Sequence, residues 1–288
     1  MYYVDLLVIG LVWGCTYAMM ALGLTLVYGL LRILHVAQAT VFTLGAYCGL
    51  LVANRTGSMT LALAAAVASA CIAGPLIYRY VYEPILERPP FVPLVASIGL
   101  LIAMEDGFRL MFGPYGLSFD NNPWFAAQVQ LGGVALNAVQ IALVASALVT
   151  IGALAWLSVR TRLGVGLRAT VSDPKMAESF GVHPARVRMA TFVVASALAG
   201  LAGLLVGMLN NLVEPGMGGL IAYKGLAIIV LGGLGNVAGT LVASLLFGLI
   251  EAFGTVTLDK VMDRDAVAFA FMVVTLLVRP HGLLGKAR

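Results

Sequence analysis

Long apolar runs separated by short polar connectors make up almost the whole chain. They fall near 5–31, 36–53, 60–80, 93–112, 137–158, 189–210, 222–234, 236–254 and 265–279. A membrane-crossing helix needs about 20 mostly apolar residues. The pattern therefore predicts an all-α, polytopic transmembrane helix bundle with eight or nine spanning segments. The run at 222–234 leaves the count open. It is short and Gly-rich at its end, and reads either as a crossing or as a broken or re-entrant segment. A single membrane domain over 1–288 is expected, because no polar stretch is long enough to bury a soluble core.

One segment breaks the apolar pattern. Between Ser158 and Arg188 stand Arg160, Arg162, Arg168, Lys175, Arg186 and Arg188 against Asp173 and Glu178. A central Arg or Lys costs about 2.5–3.5 kcal/mol in a membrane helix, and basic loops stay on the cytoplasmic side. Residues 159–188 are thus expected in cytoplasmic water. Alternating the other segments around them puts twelve basic residues inside and four outside, namely Arg55, Lys224, Lys260 and Arg264. Arg109 is left within a span. With nine crossings the N-terminus is outside and the C-terminus inside.

Inside the basic segment, Asp173-Pro174 reads as a helix start, a carboxylate cap followed by proline at the first helical position. Gly181 reads as its stop, with Pro184 beyond. Met176, Ala177 and Phe180 fall at spacings of three and four, on one expected face. So short a helix needs a tertiary partner. Two occupants fit: a groove on a cytosolic protein, or the membrane surface.

Composition agrees with a membrane protein. The chain is 61% hydrophobic and 10% charged, where soluble domains average about 25% charged. The net charge of +4 does not suggest nucleic acid, because the basic residues sit in short connectors. The expected partner of the apolar surface is membrane lipid. Cys15, Cys48 and Cys71 lie in apolar runs without metal-ligand spacing, and no disulfide is expected.

Glycine pairs Gly10/Gly14, Gly45/Gly49, Gly203/Gly207 and Gly235/Gly239 are each expected on one helix face, where small residues allow close backbone approach. A faint likeness links the Gly-interrupted stretches 23–49 and 225–248. The Gly132-Gly133 pair between two short apolar strands is expected to turn a hairpin in the 113–136 loop. Trp13, Trp124 and Tyr2-Tyr3 are expected in an interfacial belt. Ionisable groups inside spans are functional candidates. Glu105, Asp106 and Arg109 lie in the fourth run, Glu105 and Arg109 as an i,i+4 pair, and are expected to neutralise each other near its outer end. Glu251 late in the eighth run, and His35 and Gln38 at the start of the second, are candidates for a translocation path.

Several stretches together resemble the permeases of branched-chain amino acid ATP-binding-cassette importers, the shorter of that family's two permease types. They are Ala21 to Gly29, Leu44-Gly45-Ala46-Tyr47, Arg168-Ala169, Asp173, Ala177, Gly181-Val182, Leu198 to Gly203, Leu231 to Gly235, Glu251, and Arg279 to Gly285. The resemblance implies half of a transmembrane pore in a bacterial inner membrane. It implies three partners: cytosolic ATPase subunits, a second permease (a paralogue), and an external or periplasmic solute-binding protein. Ala177 and Gly181 match the second alanine and the glycine of the family's coupling motif, while Lys175 and Met176 replace its glutamate and first alanine. The ATPase-coupling set is then Asp173, Pro174, Met176, Ala177, Phe180 and Gly181. His35, Gln38 and Ala39 replace the family's usual Asn, His and Gly.

No enzyme or cofactor chemistry is expected. Gly285-Lys286 lacks the rest of a phosphate-binding loop, and neither a His-Glu-x-x-His helix nor a Gly-x-Ser-x-Gly turn occurs. Two other readings stay open: a self-sufficient secondary transporter or channel, and an intramembrane enzyme using Glu105, Asp106 and Glu251.

Overall fold

Every one of the nine apolar runs forms a helix, and local signals set many of the ends. The computed structural model describes residues 2–120, 124, 128–131, 134–257, 264–279 and 282–284. In chain order the helices are α1 (Tyr2–Leu31), α2 (Gln38–Thr56), α3 (Met59–Ile77), α4 (Phe91–Phe112), α5 (Ala138–Arg160), α6 (Arg162–Ser172), α7 (Pro174–Ser179), α8 (Pro184–Asn210), α9 (Met217–Gly232), α10 (Val237–Thr257) and α11 (Arg264–Val278). Ser58 caps α3 through its side chain, and Gly57 closes α2 at φ 67°. Asn137 and Gln140 form a capping box at the start of α5. Strands β1 (Gln128–Leu131) and β2 (Val134–Asn137) pair antiparallel, as the expected hairpin requires. Its turn at Gly132-Gly133 lies outside the described residues.

Among the described residues, six helices are long and apolar enough to cross a membrane: α1, α3, α4, α5, α8 and α10. This is fewer than the eight or nine expected. α9 and α11 have only 16 and 15 residues, and α2 carries Gln38, Thr40, Thr43, Asn54 and Arg55. α1 and α8 are the central pillars, with 72% of each apolar stretch buried against 17% for α4 and 22% for α5.

Glycines set the packing. Gly10 and Gly14 on α1 press on Leu249 and Leu245 of α10, and Gly248 returns against the Gly14 backbone. Gly200 on α8 presses on Ala66 and Ala70 of α3, and Gly74 returns against Phe192 and Ser196. The pair Gly235/Gly239 does not share a helix face as expected. Gly235 has φ 81° and lies in the turn before α10. There it meets Gly29, while Gly239 meets Gly232.

These contacts reveal a repeat that the sequence likeness of 23–49 to 225–248 misplaces. α1 and α8 are long, and each ends in a left-handed residue, Arg32 at φ 55° and Asn211 at φ 52°. No other described non-glycine residue has positive φ. An irregular connector follows each and folds back along the bundle. Then comes a shorter helix, α2 or α9. Gln38 at the head of α2 donates its amide N–H to the Ala195 carbonyl, 2.7 Å away. Ala195 lies eleven residues past the start of α8, so α2 begins about 16 Å along that helix at 1.5 Å per residue. The head of α9 meets the head of α2, with Gly218 against Ala39 and Thr43. α2 packs on α8 through Gly45 and Gly200, and α9 packs on α1 through Gly225 and Leu24. Next in order, α3 packs on α8 and α10 packs on α1. The units α1–α3 and α8–α10 are therefore arranged alike, with their long helices antiparallel. Repeats of this inverted kind commonly build transporters.

Candidate functional site

The basic segment forms two helices, where the sequence predicts only the second. For the first, α6, the local signals conflict: Thr161 is a capping residue, while Gly164 and Gly166 disfavour a helix. Both are buried contact points: Gly164 lies on the Leu157 and Ser158 backbone, and Gly166 faces Val182 and Val187. Thr161 caps α6 by accepting from the Gly164 N–H at 3.2 Å, and Arg168 donates to the Ser158 carbonyl. α6 is thus fastened to the end of α5 and the start of α8.

α7 comes directly after it. Asp173 Oδ1 accepts from the N–H groups of Lys175 and Met176, each at 3.0 Å, and Pro174 is the first helical residue. At the other end Gly181 has φ 82°. Its N–H donates to Glu178 O at 2.9 Å, and the Val182 N–H donates to Ala177 O at 3.0 Å. This pair of bonds is the Schellman closure. The expected shared face needs correction. Ala177 is buried against the body of the protein, whereas Met176 and Phe180 are 56% and 81% exposed. The wheel position of Ala177 is taken by the neighbouring helices, which leaves Met176 and Phe180 as a two-residue apolar knob on α7.

A second site lies away from the basic segment, beyond the middle of α8. The charge pattern assigns Lys224 to the outer connectors, and the structure corrects this. Lys224 is buried inside α9, 4% exposed. Its Nζ lies 2.9 Å from Glu251 Oε1 and 3.3 Å from the Tyr17 hydroxyl. The Tyr17 hydroxyl donates to Glu251 Oε2 at 2.6 Å, and the Lys224 ammonium lies 5.5 Å from the Tyr17 ring centre. Three helices, α1, α9 and α10, each contribute one member. Trp13 stacks on Tyr17 at 5.9 Å. Sequence reasoning singles out Glu251 but misses Tyr17 and Lys224. One signal is present: lone opposite charges in two apolar runs, each costly unless paired.

The triad lines a cleft of ≈ 450 Å³, whose other walls include Trp13, Val206, Asn210, Glu214, Leu220 and Ile221. Binding pockets for small molecules span about 300–1,000 Å³. Met217, the first residue of α9, also lines it, so the positive end of that helix points at the cleft.

The structure does not bring His35 and Gln38 to this cleft. His35 is 2% exposed, and its Nδ1 lies 2.6 Å from the Tyr82 hydroxyl. Its ring sits edge-on to Tyr82 and 5.2 Å from Phe192. Gln38 is fully buried. Together they hold the connector after α1 against α8, helped by Ser97 Oγ, which accepts from the Ala37 N–H at 2.9 Å. On α4, Arg109 pairs with Glu105 at 2.5 Å and with Asp106 at 3.1 Å, so the expected i,i+4 pair forms within a cluster of two carboxylates and one guanidinium.

The family model described as branched-chain amino acid transport system, permease component, matches residues 6–276. The chain is similar to the high-affinity branched-chain amino acid transport system permease protein BraD of Pseudomonas aeruginosa, with 33% identity over 99% of this chain and 96% of BraD. It is 28% identical to the corresponding protein LivH of Escherichia coli K12, over 99% of this chain and 96% of LivH. LivM of Salmonella typhimurium, also a permease protein of such a system, is 26% identical over 94% of this chain and 68% of LivM. No solved structure matches the chain at a significant level.

Proposed function

The chain belongs to the family of branched-chain amino acid transport system permease components, and from that membership we propose that it is one membrane half of an ATP-driven importer for branched-chain or related amino acids. The observation that carries the reading is α7. It is capped at both ends, fastened through α6 to α5 and α8, and shows only Met176 and Phe180 as an apolar knob. A cleft on a cytosolic ATPase suits it better than lipid, because Lys175 and Glu178 flank the knob in water. Asp173, Pro174, Met176, Ala177, Phe180 and Gly181 form the contact. ATP hydrolysis belongs to that partner.

When the paired ATPases close, they move α7, and α6 passes the motion to α5 and α8. The bundle then rocks between inward and outward openings. The likeness to both LivH and LivM supports a paralogous permease as the other half of the pore. An external solute-binding protein meets the end carrying the 113–136 loop. The protein sits in a bacterial inner membrane as a multi-pass subunit with its N-terminus outside. In this placement the chain crosses nine times, and two crossings are discontinuous: an irregular connector plus α2, and another plus α9.

Gly181→Arg in the assembled importer tests the docking. Uptake of labelled leucine is expected to fall to background while the level of permease in the membrane stays unchanged. Unaltered uptake overturns the assignment. A cysteine at Glu178 is expected to react with an impermeant thiol reagent only from the cytoplasmic side. Uptake by the chain alone in vesicles would favour the self-sufficient transporter.

A further inference from the structure

A second cleft, of ≈ 540 Å³, lies where the end of α3 meets the start of α8. Its size is within the range of about 300–1,000 Å³ for small-molecule sites. The segment after α3 lines it with Tyr78, Glu83, Glu87 and Arg88, and α8 lines it with Arg188. α3 runs into a single π turn here, Tyr78–Tyr82, a form frequent at functional sites. Tyr78 is fully buried. The Arg188 guanidinium reaches its hydroxyl, but a guanidinium only donates. Neither the Tyr78 O–H nor the buried Arg188 Nε–H meets an acceptor among the described residues. Buried donors of this kind are few in folded proteins, and each calls for a cause. An anion in the cleft supplies the acceptor that both lack. The nearby carboxylates add a condition. Glu83 is paired with Arg79 at 3.4 Å, whereas Glu87 and Arg88 stand exposed at the rim. A ligand with a phosphate inside and a cation at the rim satisfies the whole set. The depth of the cleft points to where such a ligand comes from. α3 exposes Ile72 and Leu76 and then Tyr80, and Tyr rings concentrate at the membrane–water boundary. In the placement proposed above, the cleft lies at head-group depth on the cytoplasmic side, where basic pockets between helices hold lipid head groups.

We propose that this cleft binds the head group of phosphatidylethanolamine from the surrounding bilayer. Its phosphate accepts from the Tyr78 O–H and the Arg188 guanidinium, and its ammonium donates to Glu87. Pro84 and Leu86 give an apolar wall to the glycerol end. Free phosphoethanolamine carries the same charges but has no acyl chains to hold it in the membrane. The bound lipid bridges the end of α3 to the start of α8, which closely follows α7 in the chain. It thereby stiffens the base from which α7 projects. This inference goes beyond the import reading, since binding needs only the membrane placement.

The test uses the full importer in detergent, with retained lipid read by native mass spectrometry. Dioleoyl phosphatidylethanolamine, phosphatidylglycerol and phosphatidylcholine are added in equal amounts. The first is expected to be retained in preference to phosphatidylcholine, whose quaternary nitrogen has no N–H, and to phosphatidylglycerol, which has no cation. Tyr78→Phe and Arg188→Gln are each expected to lower its retention about tenfold, from the loss of a hydrogen bond to a charged group. Glu87→Gln, at the exposed rim, does not endanger folding. It is expected to abolish the preference over phosphatidylglycerol and to leave retention of phosphatidylglycerol unchanged. Equal retention of the three lipids, or parental retention in Tyr78→Phe and Glu87→Gln, overturns the proposal. Free phosphoethanolamine that displaces the lipid at an equal concentration overturns the lipid assignment in favour of a soluble ester. Loss of the ATPase from the Tyr78→Phe complex with lipid retention unchanged assigns the cleft to the ATPase instead, and also overturns it. Leucine uptake in proteoliposomes checks the consequence for α7. Phosphatidylethanolamine is expected to raise uptake over phosphatidylcholine alone, and Tyr78→Phe to erase that difference. A difference that survives in the variant refutes the role of this cleft. A parent complex that imports no amino acid under ATP refutes the import reading itself and leaves the lipid measurements standing.

Discussion

At the scale of single residues, close approach governs tolerance. A side chain at Gly203 would run into the Phe42 backbone, and one at Gly218 into Ala39. Gly203→Leu is therefore expected to destabilise by about 1–3 kcal/mol or more, read as a lower unfolding temperature of the purified protein. Asn211 makes the complementary case. Its left-handed backbone costs a β-branched residue more than it costs Asn or Gly. Asn211→Gly should leave thermal stability unchanged or slightly raised, and Asn211→Val should lower it by about 1–2 kcal/mol. Part of this scale was open to sequence reading. Gly45, Gly49, Gly10 and Gly14 pack as their spacing suggests. Lys224 does not, because its partners Glu251 and Tyr17 are 27 and 207 residues away in sequence and no local pattern records such a pairing.

At the scale of elements, α7 was legible and α6 was not. Asp173-Pro174 and Gly181 are local signals, and each does in the structure what its chemistry dictates. α6 depends on glycines whose helical role comes only from the neighbours they touch. The capping makes a specific prediction. Asp173→Ala should weaken α7 by about 1 kcal/mol, whereas Asp173→Asn keeps a capping oxygen. ATP hydrolysis coupled to uptake should drop for the alanine variant and persist for the asparagine one, measured in proteoliposomes. Met176→Ser with Phe180→Ser leaves the caps intact and removes the knob. It is expected to abolish binding of the ATPase in a pull-down without loss of membrane insertion.

At the scale of the molecule, the nine runs and their helical character were legible. The way they fold into two like units was not, since it depends on which helix meets which. The likeness predicts matched sensitivities. Gly74 serves the α3–α8 contact and Gly248 the α1–α10 contact, so Gly74→Leu and Gly248→Leu should cause similar losses in folded yield on size-exclusion chromatography. A large difference between them would show that only one unit bears the packing load. The opposite sense of the two units has a further consequence, a matter of parity. In the nine-crossing placement proposed above, the four passes from α1 to α4 return the chain to its starting side, and α5 is the odd pass that inverts the C-terminal half. Excising α5 would turn that half upside down and present its arginine-rich entrance to the wrong compartment. In that placement a helix that contributes little to the interior sets which way the C-terminal half faces, and its exposed surface is free to drift while its existence is not.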